Sequence, residues 1–519
     1  MSDSVVTWRP SFSRTSVLQF LDPPRAVMLL IIVGSIVRIA MAAAVGLGSD
    51  ESYTVANARM LALSYVDYPP LHAWIVGIWS WVCGSESQLI VRLPFIALFA
   101  GSTWIMFRLS AFLFGARAGL WAALLFNLAP VFTLPHASWV LPDGPLIFFM
   151  LSGAFVVARL LFEGEKPSAT IGGWLLAGAL CGFAILSKYH GVFLLVGVFV
   201  FLLAWQPGRR VLATPGPWLG ALLALAMFAP VIVWNANHDW AGLFFQAQRL
   251  STPHLEFGRV LTSIGAQAGY LSPWLFIPLC YVWIASLRGG FTSPQRFFLA
   301  MLASGPILCF TLANIVSPGL PHWTMPGWLF LFPVLGAAAA RFAGFRPKLM
   351  FGAASATAVL LTAVIAAFGS EAKTGWITDR MPQNYLHSDP TIDLLNWTEL
   401  EAVLQQRHLL DAQTPAIAAT HWNEAGKLNY AMGRRIPVLC LCADPQQFRY
   451  MQTPERFAGE NIIIVGAHRD ASEIDGTLTG QFDRLETLEP IMLRRAGRTA
   501  VELTIVRGIG FRPGKGAQG

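Results

Sequence analysis

Two acidic residues stand side by side at Asp50-Glu51, and a third, Asp67, precedes the diproline Pro69-Pro70 in the same interval, 49–88. A carboxylate held at a membrane surface can serve as general base toward a hydroxyl or phosphate acceptor. The plainer alternative is that Ser49 caps a helix and Asp50 and Glu51 occupy its first turn, where the helix dipole favours anions. Asp67 has the same two readings, a turn cap or a carboxylate facing the first pair across the loop. Asp143 opens an apolar stretch in Leu141-Pro142-Asp143-Gly144-Pro145, shortly after His136. Ionisable groups in such a zone are functional candidates by default. Lys188 and His190 flank Tyr189 between two minimal apolar runs; Lys188 either snorkels to the surface or binds a phosphate. Arg249, in an interval with Asn235, His238 and Asp239, is a candidate phosphate clamp. His322-Trp323 adds an imidazole and an indole, although a lone His322 is more often structural.

The elements that must position these groups are set by composition. The chain has 519 residues, 55% hydrophobic and 13% charged, with mean hydropathy +0.54. A soluble chain carries about 25% charged residues, so a water-soluble enzyme, a coiled coil and a disordered chain are excluded as whole-chain readings. Residues 1–369 hold 31 charged residues and 370–519 hold 34. The first part therefore reads as a membrane bundle and the second as a water-facing domain. The pI near 9.2 does not point to nucleic acid, because the arginines stand singly beside apolar segments. The six cysteines are scattered. Cys440 and Cys442 should point to opposite faces of an extended chain and so should not bridge.

At about 20 apolar residues per span, the sequence predicts eleven transmembrane helices, near 26–48, 89–114, 117–135, 142–161, 171–187, 189–206, 217–235, 268–287, 297–316, 326–343 and 349–368. The length and the polar lead of the first argue against a cleaved signal peptide. Basic residues mark the cytoplasmic side. Arg9, Arg14 and Arg25 place the amino terminus there, and Arg108, Arg117, Arg159, Lys166, Arg209, Arg210, Arg288, Arg296, Arg341, Arg346 and Lys348 fall on the returning loops. The apolar run 71–83 has only 13 residues and three tryptophans. Counting it as a span would invert every later loop, so it reads as an interfacial helix.

An odd number of spans leaves residues 370–519 outside the cytoplasm as a small α/β domain. Its strands are predicted at 416–420, 437–442, 462–465 and 501–506, with a helix over 423–433 and another from an Asn396 cap to about Leu410. The candidate residues all fall on outer loops or at the outer ends of spans, which suits chemistry on a lipid-linked substrate exposed at that face. A transporter would place ionisable groups near the midplane, where Arg38 is the clearest example.

Taken in order, several motifs resemble the GT-C glycosyltransferases of the protein-mannosyltransferase superfamily, in particular the bacterial branch that modifies lipid A with aminoarabinose. They are Asp50-Glu51, the segment Tyr65-Val66-Asp67-Tyr68-Pro69-Pro70-Leu71-His72-Ala73-Trp74, Arg92-Leu93-Pro94, Pro142-Asp143-Gly144-Pro145-Leu146, Leu186-Ser187-Lys188-Tyr189-His190-Gly191, Val233-Trp234-Asn235 and Pro321-His322-Trp323. The resemblance implies an enzyme of GT-C fold in a bacterial inner membrane. It would take a sugar from a polyprenyl-phosphate carrier to an extracytoplasmic acceptor: lipid A, lipopolysaccharide core, another glycolipid or a protein. The rival class is a lipid-linked sugar flippase. Carried over by position, Asp50 matches the catalytic acid of the first loop, Asp143 the second acid, and Lys188 lies near the carrier phosphate. Glu51, Asp67, His190, Arg249 and His322 are the further substrate-binding candidates. Relatives tend to carry Glu-Lys or a histidine where this chain has Asp67-Tyr68, which leaves the sugar and any divalent metal at Asp67 open.

Overall fold

The structure, a computed structural model, describes residues 22–249, 255–381, 389–410, 414–467 and 470–514. Arg9 and Arg14, used above for orientation, lie outside the described residues. Among those described, eight helices are long and apolar enough to cross a membrane, and two more qualify if each of two bent pairs counts as one span. The one predicted run left outside these ten, 171–187, is the helix Ile171–Ser187, with 17 residues.

The first four helices are α1 (Pro23–Ala44), α2 (Ser49–Arg59), α3 (Leu71–Cys83) and α4 (Gln88–Phe114). Helix α3 is the short apolar segment expected from 71–83; the Trp74 indole donates to the Ala62 carbonyl at 2.8 Å, while Trp81 is largely exposed. The third predicted span is bent by 78° between Ala116–Leu128 and Pro130–Ser138. Pro130 and Pro135 each begin a short helix. Proline is accepted at a first helical position but cannot continue the hydrogen-bond ladder of the preceding helix. The bend turns His136 back into the protein. Phe99, Phe126, Phe132 and Phe332 pack beneath it with ring centroids 5.0 to 5.9 Å apart. Ile171–Ser187 lies directly on Pro215–Met227, where a Cβ on Gly178 would collide with the backbone of Gly220. Small residues at such crossings allow backbones to approach within lipid. The last long helix runs Pro347–Thr374, beyond the compositional boundary at 369.

The C-terminal sheet has the order β2-β1-β3-β5-β4, with β1 Ala416–Ala419, β2 Val438–Cys440, β3 Ile462–Ala467, β4 Arg484–Arg495 and β5 Arg498–Ile509. β1 pairs in parallel with β2 and β3, and β5 pairs antiparallel with β3 and β4. Apolar residues on both faces of β1 and β3 are buried: Ile417, Ile463 and Val465 on one side, Ala418, Ile462 and Ile464 on the other. That is why these short runs lack polar alternation.

Four local expectations change. β4 was not predicted, because Arg-Leu-Glu-Thr-Leu-Glu-Pro carries charges and Pro490; the strand is an edge, and an irregularity between Leu488 and Ile491 accommodates the proline. Asn396 accepts from the Thr398 N–H at 3.0 Å in a local turn, and the helix after it spans only Leu400–Gln406. Ser49 is the first helical residue of α2, not its cap: Gly48 holds the cap position, and Glu51 accepts from the Gly48 N–H at 2.9 Å. The Cys440 and Cys442 side chains adjoin one another instead of pointing apart, because β2 ends at Cys440 and alternation no longer separates them; both cysteines are free.

The C-terminal region rests on α2 through Trp422–Met432. Tyr53 meets Trp422 edge-on at 5.3 Å and Phe448 at 5.9 Å, and Gly426 gives α2 room, since a Cβ there would stand 3.0 Å from the Tyr53 nitrogen. On α2, Tyr53 and Ala56 are therefore buried against the sheet region, whereas Met60 and Leu63 lie past the helix end and are exposed.

Candidate active site

Asp50, Asp67, Asp143, Arg249 and His322 line one cavity of about 680 Å³, together with Tyr53, Tyr68, His136, Tyr270 and Trp422. Its walls come from α2, the loop to α3, the bend after Leu128, the helix Asp143–Phe162 and the turn before Met325.

Asp143 occupies the first position of its helix, after Pro142 and in a backbone suited to helix initiation. Lys188, at the end of Ile171–Ser187, places its ammonium 3.0 and 3.1 Å from the two Asp143 oxygens. His136 Nε2 approaches the same carboxylate at 3.7 Å, and the His136 and His322 rings are 6.5 Å apart. Lys188 and Asp143 are both buried. A buried pair of this kind survives desolvation only because both charges are matched. Lys188 thus joins the site through Asp143 from behind the cavity wall.

Asp50 differs from its neighbour Glu51. Asp50 opens to the cavity. Enclosure by protein, followed by the negative charges of Asp393 and Glu51, pushes its carboxyl up to about 6. Glu51 is buried, accepts from Arg92 at 2.8 and 2.5 Å and from the Val140 N–H at 3.1 Å, and does not line the cavity. Arg92 spends its other donors on the Ala42, Val45 and Gly46 carbonyls. This pair ties the end of α1, the start of α2 and the approach to Asp143 into one unit, a positioning task distinct from the substrate contact expected of Glu51.

Asp67 is buried and accepts from the Tyr53 hydroxyl at 3.3 Å; burial pushes its carboxyl up to about 7. The Gln447 N–H donates to the same Tyr53 oxygen at 3.1 Å. The Gln246 amide donates to the Asp67 carbonyl at 2.6 Å and holds the segment that leads into the diproline. Arg249 presents its guanidinium 4.5 Å above the Phe245 ring at the cavity margin. His190 is not brought to the cavity: its ring stacks on Phe310 at 4.4 Å behind the Lys188 turn. Among the described residues, no group of three or more His, Cys, Asp or Glu is placed to hold a metal ion.

A second, mostly apolar chamber of about 450 Å³ lies between α1 and Pro347–Thr374 and shares Leu134, Pro135 and Trp139 with the first. Arg38 stands in its wall, donating to the Asn127 side chain at 3.1 Å and resting on the Phe99 ring at 4.5 Å.

Tyr53, Tyr68, Trp422 and Asp393 were not singled out from the sequence as site groups. Tyr68 adjoins Asp67 and was noted only as a departure from a motif. Trp422 and Asp393 lie more than 300 residues from α2 and carry no local signal.

The fold is that of a membrane-embedded helical bundle of GT-C type with a small sheet region. It superposes on ArnT from Cupriavidus metallidurans bound to undecaprenyl phosphate with TM-score 0.61 and 15% identity, covering 93% of this chain and 97% of that one. The apo form of the same protein gives 0.59. In sequence, residues 67–234 match the family described as dolichyl-phosphate-mannose-protein mannosyltransferase. The chain is 22% identical to lipid A galacturonosyltransferase RgtD of Rhizobium johnstonii, over 54% of this chain and 58% of that protein. It is 24% identical to the undecaprenyl phosphate-alpha-4-amino-4-deoxy-L-arabinose arabinosyl transferase of Erwinia tasmaniensis, over 60% and 58%. These alignments span little more than half the length of those relatives. The resemblance to GT-C glycosyltransferases expected from the motifs is borne out.

Proposed function

We propose that the chain is a membrane glycosyltransferase that moves a sugar from a polyprenyl-phosphate carrier to an extracytoplasmic acceptor. The observation that carries this reading is the pairing, in one cavity, of an accessible carboxylate that has no ion-pair partner among the described residues, Asp50, with the cationic Arg249 and, behind Asp143, Lys188. Asp50 takes the proton of an acceptor hydroxyl as the acceptor oxygen bonds to the anomeric carbon. The bond from that carbon to the carrier phosphate breaks, and the configuration inverts. Arg249 stabilises the charge gathering on the departing phosphate. Lys188 acts through Asp143, neutralising from behind the wall the carboxylate that borders the cavity. Asp67 and His322 bound the space for the sugar, and Glu51 holds the loop through Arg92.

Lipid A and undecaprenyl phosphate appear in the names of the relatives and of the solved structure, which favours a bacterial carrier lipid and a lipid acceptor. The apolar chamber beside the cavity is suited to hydrocarbon. In this reading the amino terminus is cytoplasmic and residues 370–519 form a separate periplasmic domain above the bundle. Protein reconstituted in liposomes with labelled polyprenyl-phosphate sugar and lipid A tests the assignment. Label covalently attached to the acceptor is the expected product. Label that crosses the bilayer while still on its carrier would make the protein a flippase instead.

A further inference from the structure

We infer that Asp393, in the C-terminal region, is a positioning residue for Asp50: it supplies from a distant part of the chain the cap that the first turn of α2 lacks. The inference rests on Asp50 being the base proposed above. Gly48 at the cap position has no side chain, so it can offer no acceptor to the amides opening the helix, which otherwise need one. Asp393 provides it. Both of its carboxylate oxygens accept from the Ser49 N–H at 3.1 Å, and the Ser49 hydroxyl donates to one of them. The next residue is Asp50.

Asp393 is itself held. The Lys427 ammonium, buried at the joint, donates to the carbonyl of Asp393, to that of Leu395 at 2.9 Å and to that of Leu47 at 2.6 Å, one residue before the cap position. A single side chain therefore ties the segment leading into α2 to the segment carrying the cap. Gly426, its neighbour, lies against the Tyr53 backbone. The C-terminal region thus sets the position and the charge environment of Asp50. Asp393, Glu51 and Asp143 oppose its ionisation and Lys188 favours it; Asp67, His136, His322 and Arg249 share the cavity.

Two substitutions separate geometry from charge, with the full-length protein in liposomes. Asp393→Ala removes the acceptor. Faster amide hydrogen exchange confined to 48–52 and a fall in kcat of about tenfold, with the donor KM unchanged, are expected from loss of a helix cap near the base. Asp393→Asn keeps an acceptor but not the charge. Its plateau rate should stay within about threefold of wild type, while the acid limb of kcat/KM moves to lower pH, since a repelling charge has gone. Wild-type exchange at 48–52 and wild-type kcat in Asp393→Ala, or an unmoved acid limb in Asp393→Asn, overturns the inference. If Asp393→Ala loosens exchange throughout the protein, the acid limb of Asp393→Asn decides. Failure of the base assignment reads differently: Asp50→Asn would then still transfer sugar.

Discussion

Two helix amino termini face the same cavity and carry the same kind of residue, yet they are built for opposite ends. At the start of Asp143–Phe162 the carboxylate is closed off by Lys188 at 3.0 Å and approached by His136. At the start of α2 the Asp50 carboxylate has no such partner among the described residues; enclosure by protein first, and then the charges of Asp393 and Glu51, push its carboxyl up to about 6. Both positions enjoy the same helix dipole. The difference teaches that the dipole, at about 0.3 to 1 kcal/mol, is outweighed by burial together with the charges the tertiary structure brings alongside. A matched pair positions; an unmatched, accessible carboxylate is free to exchange a proton with a substrate.

The sharpest way to break this contrast is Asp50→Asn. Transfer should fall by about 10² to 10⁴ if Asp50 is the general base, with unchanged insertion and folding; turnover within tenfold of wild type in a radiolabel assay would remove it from that role. On the opposite side, Lys188→Met leaves Asp143 buried and uncompensated, at a cost of about 3 to 5 kcal/mol. Thermal unfolding in detergent should record this, and the double variant with Asp143→Asn should regain much of the loss. Additive losses would mean that the two do not act as a pair.

A smaller effect concerns pH. The folded-state affinity of Asp50 for its proton is raised, so as the proposed base it is competent only above about pH 6, and kcat/KM should rise about tenfold per unit up to that point. The same sign has a consequence for stability. Ionising Asp50 weakens the fold as pH rises through 6, so Asp50→Asn should melt higher than wild type at pH 8 and lose that advantage at pH 4.5. An advantage independent of pH would show that Asp50 is not strained by its neighbours. Smallest of all is Tyr53→Phe, which removes the hydroxyl shared by Asp67 and the Gln447 N–H. A loss of about 1 kcal/mol in stability is expected, with the acid limb assigned to Asp50 left in place.

Much of the site could be read from residue types. Asp50, Asp67, Asp143, Arg249 and His322 stood out as polar groups at the ends of apolar runs, and they line one cavity. Glu51 and His190 stood out for the same reason, but the structure turns one to Arg92 and the other to Phe310. Neighbours on a helix point about 100° apart, so adjacency in the chain could not tell Asp50 from Glu51. In the C-terminal region, β1, β2, β3 and β5 were visible as β-branched or apolar runs. β4 was not, since the face it leaves exposed is charged and its proline reads as a break.

By itself the sequence determined which segments are apolar enough for a bilayer, where proline must interrupt them, and which ionisable groups stand at their ends. Those properties belong to single segments, set by transfer free energy and backbone sterics. Only the tertiary structure decided that Lys188 neutralises Asp143, that Arg92 claims Glu51, and that Asp393 caps the helix of Asp50 from 344 residues away. Those are pairings between segments, and Coulomb and hydrogen-bond energies depend on distances in space that no local pattern encodes.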